Sequence, residues 1–179
     1  TYTVTLTVTD NSGGTNAVSH PITVAPAATG LPTYASIVNA AKLAANYYRT
    51  TYAHTTLTPK NGWSWSTYTQ GVQTLFRQVG DQQYLNDNLA WGSSNSWAVE
   101  TNETNPDTVK ASQTYYDLNA LDSTASLTKA DAEMASDLTN LPVSQYNWAD
   151  ALFMGLPDWT RWATRTGNTA YLTKMDSLY

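Results

Sequence analysis

The sequence predicts a mainly α-helical fold, a series of helical hairpins preceded by a short β-hairpin. Three observations carry that expectation. Apolar residues alternate with threonine from Tyr2 to Val8, and after Tyr34 they recur at steps of three and four. A Gly-x-x-x-Tyr-Leu segment, Gly80 to Leu85, returns 87 residues later as Gly167 to Leu172, which marks two helical hairpins of about 43 residues each.

The elements follow in order. Tyr2, Val4, Leu6 and Val8 opposite Thr3, Thr5 and Thr7 predict a strand with one buried and one wet face. The turn cluster Asp10-Asn11-Ser12-Gly13-Gly14 sends the chain back into a second strand over 17–24, an edge strand because Pro21 cannot donate. Ala25-Pro26-Ala27-Ala28-Thr29-Gly30-Leu31-Pro32 reads as a linker. Three regions result: strands over 1–24, a linker over 25–33 and a helical domain over 34–179. The first helix is expected over 34–52, with Ile37, Ala41, Ala44 and Tyr48 inward. The second, over 61–79, has the clearest apolar stripe: Trp65, Tyr68, Val72, Leu75, Phe76 and Val79. A third covers 81–91 and stops at Gly92, a fourth covers 106–121, and a fifth covers 126–138 with Leu127, Ala130, Met134 and Leu138 inward. The sixth, over 148–166, contains Pro157, which should kink it, and a seventh starts near Asn168.

Composition narrows the function. The 179 residues are 41% hydrophobic and 13% charged, with a net charge of -5, whereas an average soluble domain is roughly a quarter charged. With no cysteine, disulfides, thiolate metal sites and a cysteine nucleophile are excluded, and two histidines, His20 and His54, argue against a zinc cluster. No cofactor or metal is expected. His54 reads as a loop histidine. Nine Lys and Arg spread singly give no basic patch for nucleic acid, and no apolar run approaches the roughly 18 residues that cross a bilayer. Seven Trp and 12 Tyr stand beside 2 Phe. Rings with a polar handle suit sugar faces as well as cores, so an oligosaccharide is the expected partner.

Helices of alternating direction place the second, fourth and sixth in parallel, so the loops over 58–62, 92–105 and 142–147 open at one end. Trp63, Asp107 and Asp150 lie at those three helix starts. Each aspartate has two readings. With Asn147 as N-cap, Asp150 falls at N3, and with Asn105 as N-cap and Pro106 at N1, Asp107 is similar; both then serve as capping carboxylates. Alternatively they form an acid pair on one open face, where Trp148 either shields Asp150 or fills core. Trp65 lies on the apolar stripe and reads as core, whereas Trp63 is freer to face a ligand. Tyr68, Met154, Trp159 and Trp162 read as core. The polar loop over 92–105 is a plain connection or a ligand grip.

Two resemblances sharpen this. Tyr2 to Val24 resembles the last strands of a PKD domain, an immunoglobulin-like spacer, which implies a β-sandwich continuing upstream and an extracellular or periplasmic setting. The segment Gln145-Tyr146-Asn147-Trp148-Ala149-Asp150-Ala151-Leu152-Phe153-Met154-Gly155-Leu156-Pro157, with Thr166 to Leu172, resembles glycoside hydrolase families 88 and 105. Asp107 with Gln113-Thr114-Tyr115-Tyr116-Asp117-Leu118, and Trp63-Ser64-Trp65 before Gly71, extend the likeness over 61–179. These are unsaturated glucuronyl and rhamnogalacturonyl hydrolases with an (α/α)6 toroid. The resemblance implies that Asp150 is the proton donor and Asp107 its partner. Trp63, Trp148, Trp65, Tyr146 and Gln113 form the implied substrate-binding set, and no cofactor is required.

The chemistry so implied is hydration of the C4=C5 double bond that a lyase leaves on a terminal uronic acid. Two departures accompany it. The loop before Asp150 lacks the His and basic residue that some members carry, so the uronate carboxylate has no assigned partner. Seven helices also make only part of a six-hairpin toroid, so a fragment of low activity, prone to self-association, is expected; the oligomeric state itself is left open. Two other readings stand beside the enzyme: a non-catalytic α-hairpin module that binds glycan or protein, and a toroidal glycosidase acting on saturated glycosides.

Overall fold

The computed structural model describes residues 2–22, 30–52, 61–100 and 105–179. The chain divides into two compact units, Thr1–Ala40 and Ala41–Tyr179. His54 and most of the loop expected over 58–62 lie outside the described residues, as do residues 23–29 of the second strand's end and the linker.

In the first unit β1 (Tyr2–Thr9) pairs antiparallel with β2 (Thr15–Ile22), Tyr2 opposite Ile22 and Thr9 opposite Thr15. The Asp10 carboxylate accepts the amide protons of Ser12 and Gly14, each at 2.8 Å, and closes the turn. The expected buried face is not there. Every residue of both strands is exposed, because two strands make a single layer and an apolar face is buried only by a second one.

Helix α1 (Tyr34–Tyr52) keeps its expected bounds, but its inward face is turned by one residue. Ala45 is buried while Ile37 is exposed, since the anchor is a ring and not the small alanines: Tyr48 stacks on Tyr68 at 4.1 Å. The remaining helices are α2 (Trp63–Val79), α3 (Gln82–Ser94), α4 (Lys110–Asn119), α5 (Thr128–Asn140), α6 (Ala151–Thr166) and α7 (Ala170–Leu178). A single 3-10 turn, Val143–Gln145, precedes α6. Helices α2 and α6 end alike. Gly80 and Gly167, the repeated glycines, both adopt φ 70° and donate their amide protons to Phe76 and Ala163, a left-handed close that a side chain would strain. Helix α3 runs through Gly92 instead of stopping there. The Trp97 ring lies where a Cβ on Gly92 would be, so this glycine serves close packing, and the helix ends at Asn95 before left-handed Ser96 and Trp97.

Two levels of cross-links show how the helices lie. Gln70 of α2 bonds Gln113 of α4, and Gln113 bonds the Met154 carbonyl of α6. Farther along, Asp117 of α4 pairs with Arg77 of α2 at 3.6 Å and with Arg161 of α6 at 3.3 Å. Similar offsets of 40 to 44 residues at both levels require α2, α4 and α6 to run parallel. Helices α3, α5 and α7 cover this layer as the returning halves of the hairpins. Between the layers sits an aromatic core: Tyr115, Trp159 and Trp162 are fully buried, with Met134, Leu118 and Leu141. The polar handles are satisfied, since Tyr115 donates to the Ala98 carbonyl and the Trp162 indole donates to Asp131, which also takes a two-point bond from Arg165. The architecture is a mainly α array of the six-hairpin toroid type preceded by a small antiparallel β-hairpin.

Asp137 of α5 is buried beside Glu133 and near Lys174 of α7. Burial, reinforced by Glu133 and opposed by Lys174, raises its carboxyl from 3.8 to about 7. The fold therefore holds a proton that the unfolded chain releases, so this residue's contribution is full below about pH 4 and is lost as pH rises toward 7. Thermal melts should show Asp137→Asn gaining on the parent as pH rises from 4.5 to 8, with little difference at the acid end.

Candidate functional site

Three helix starts share one end of the parallel layer. Trp63 is the first residue of α2 and half exposed, Asp107 lies in the turn leading into α4, and Asp150 directly precedes α6. Asp150 does not take the capping role its spacing suggests. Asn105 accepts the amide protons of Asp107 at 2.9 Å and Thr108 at 3.3 Å, so the cap of that turn is its side chain. The turn delays α4 to Lys110, four residues after the expected start at Pro106.

Asp150 is not at N3 of a helix capped by Asn147. It is the N-cap position itself, and its side chain makes no capping bond. The reason is backbone geometry: residue 150 already has φ -77° and ψ -13°, and a helical residue cannot swing its carboxylate back over the first amides as an extended N-cap does. Its carboxylate is exposed. Trp148, two residues earlier, is half-buried, and the Ala151 amide bonds its carbonyl.

The other implied ligand contacts divide. Tyr146 crosses Gly155 of α6, where a Cβ would meet its hydroxyl and the Pro106 ring. Its hydroxyl accepts the Trp159 indole proton at 3.1 Å, and burial pushes it above the usual phenol range. Tyr146 thus packs the turn before α4 onto α6. Trp65 goes elsewhere: it is buried edge-on to Tyr48 and Tyr68, and lines a cavity of about 290 Å3 between α1, α2 and α3 to which Trp63, Asp107, Trp148 and Asp150 do not contribute. Two residues of helix rotate a side chain by about 200°. Trp63 and Trp65 therefore cannot serve one subsite.

Gln113 lies inside the wall, and the cause is Pro157. A proline in α6 has no amide proton for the carbonyl four residues earlier, Phe153. The Gln113 amide supplies it, donating to the Phe153 carbonyl at 3.2 Å and to Met154 at 2.7 Å. Its oxygen faces Lys110, which is fully buried: the ammonium donates to Gln70 at 2.7 Å and to Gln113 at 3.1 Å, and sits 3.7 Å over the Phe153 ring. Burial lowers this ammonium from 10.5 to about 8, the nearby Asp158 opposing and Arg161 assisting.

Asp158 is the second buried ionisable group of the wall. Burial raises its carboxyl well above the ordinary range, with Arg161, Ser112, Lys110 and Gln113 pulling it partly back. Lys110, Asp158 and Gln70 did not stand out in the sequence. The available signals were the 43-residue offset that pairs Gln70 with Gln113, and the carbonyl that Pro157 must leave free. Among the described residues no group of three His, Cys, Asp or Glu side chains is placed to hold a metal ion.

Comparison with known proteins defines the class first. A solved structure described as a polysaccharide lyase superposes with a TM-score of 0.71 at 21% identity, over 80% of this chain and 45% of that one. A glycosyl hydrolase of family 88 from Bacteroides vulgatus superposes with a TM-score of 0.62 at 21% identity, over 79% of this chain and 46% of that one. At that identity they establish the shared helical-toroid fold, and this chain spans a little under half the length of each. No curated protein matches. The family itself is fixed by sequence: residues 37–179 match the model of Glycosyl Hydrolase Family 88, and the chain belongs to that family.

The seat of Tyr146 gives a test. Gly155→Ala should cost about 1–3 kcal/mol in urea unfolding because Tyr146 and Pro106 must move. Gly71→Ala, also inside a helix but facing open space, should gain up to about 1 kcal/mol.

Proposed function

We propose that this chain carries part of the active site of a hydrolase that removes terminal 4,5-unsaturated uronic acid from lyase-generated oligosaccharides. The observation that carries this reading is the placement of Asp107 and Asp150 at the starts of adjacent parallel helices, the Asp150 carboxylate exposed and free of capping duty, in a family 88 chain. Trp63, at the start of α2, and Trp148, two residues before Asp150, would offer apolar surface to a sugar ring. Extracellular or periplasmic placement belongs to the same proposal, through the likeness of the β-hairpin to a PKD spacer.

The reaction follows from the two carboxyl groups. Asp150 delivers a proton to C4 of the unsaturated ring as general acid, and positive charge develops at C5 and the ring oxygen. Asp107 orients a water molecule and accepts its proton as the oxygen bonds to C5. The product is a hemiketal, whose ring opens to a ketone; the hemiacetal then left at C1 expels the next sugar. One water is consumed, and the proton taken by Asp107 balances the one given by Asp150. Unlike the usual two-carboxylate glycosidase, no displacement occurs at the anomeric carbon.

Loss of ultraviolet absorbance from a lyase-generated unsaturated disaccharide tests the reading in the full-length protein. The absorbance should decay with the parent, and Asp150→Asn should slow it by roughly 100-fold or more, the scale of a lost general acid. An inactive parent, or an active Asp150→Asn variant, would overturn it.

A further inference from the structure

We propose that Lys110 is a positioning residue for this reaction, clamping the first turn of α6 against α4 and α2 and thereby holding Asp150 and Asp107 at a fixed separation. The roles of the aspartates rest on the proposed function; the place of Lys110 rests on geometry alone. Lys110 follows Asp107 by three residues, and its amide bonds the Asp107 carbonyl at 3.2 Å. Phe153 follows Asp150 by three residues, and its ring lies under the Lys110 ammonium. The cation is therefore one turn below both carboxyl-bearing positions.

Each of its three contacts belongs to a different helix: Gln70 to α2, Gln113 to α4 and Phe153 to α6. An ammonium has three protons to place, and a fully buried one tolerates no loss of a partner. Two amide oxygens and an aromatic face meet that demand, and Gln113 spends its other end on the carbonyls of Phe153 and Met154. The arrangement closes on itself. Moving α6 along α4 breaks the amide bonds, and moving it away uncovers the ammonium. The charged groups that act on Lys110 are Asp158 and Arg161, both of α6, whereas α2 and α4 present it with neutral amides. An apolar residue would pack the same seam without fixing its register, because apolar contacts are non-directional.

The test uses Lys110→Met and Gln70→Leu in the full-length protein, with folding checked by circular dichroism and the unsaturated disaccharide as substrate. Lys110→Met should lower kcat by about 100-fold, the scale of an ångström of misplacement, and change KM by less than about threefold. Gln70→Leu, at a partly exposed position, should lower kcat by about tenfold and decides the matter if Lys110→Met does not fold. A folded variant with kcat within about twofold of the parent overturns the proposal.

If the parent leaves the disaccharide intact, the proposed function falls, and the clamp is read without activity. Amide hydrogen exchange then follows the first turn of α6 in whichever variant folds. Exchange about tenfold or more faster than the parent's at Met154, whose amide bonds the Asp150 carbonyl, supports a clamp there, and unchanged exchange overturns it.

Discussion

A single missing proton organises the wall beneath the candidate site. Pro157 cannot donate to Phe153, and in an apolar layer a carbonyl without a donor costs about as much as a lost hydrogen bond. The donor comes from a neighbouring helix as the Gln113 side chain, which ties α4 to α6 at one height. Once Gln113 is turned that way its oxygen faces inward and needs a proton, which Lys110 provides; Lys110 needs further acceptors, which Gln70 and Phe153 provide. Removing the proline's demand would leave the rest without a reason to be polar.

The aromatic content is put to two uses. Away from the open end, Tyr115, Trp159 and Trp162 fill the space between layers, and their polar atoms are spent on Ala98, Tyr146 and Asp131. Such bonds orient as well as pack, because a ring that must meet both a core shape and a fixed partner has one acceptable pose. At the open end Trp63 is half exposed instead.

Much of the fold was legible in the sequence because it depends on periodicity. The 3.6-residue stripe of α2 and the bounds of α1 are local patterns, and the 87-residue repeat, whose glycines turn out to close α2 and α6, reports the hairpin spacing. The errors came where tertiary contacts overrode local preference. Gly92 reads as a stop but is spanned by a helix because Trp97 packs on it, and Pro106 reads as a first turn but Asn105 closes a separate one. At the site, the shared end of Trp63, Asp107 and Asp150 was readable from loop order. The buried Lys110 was not, since a lysine in a polar helix gives no sign of its burial until Gln70 and Phe153, 40 and 43 residues away, are brought beside it.

The two levels of cross-links among α2, α4 and α6 involve no residue of the loops at the open end. Helix spacing is therefore set largely from within the bundle, and of the described connecting residues Tyr146 and Ala98 add to it through Trp159 and Tyr115. Such a division lets the rim diverge freely in length and chemistry, so that descendants of one scaffold can acquire different glycan preferences while the floor beneath them stays unchanged.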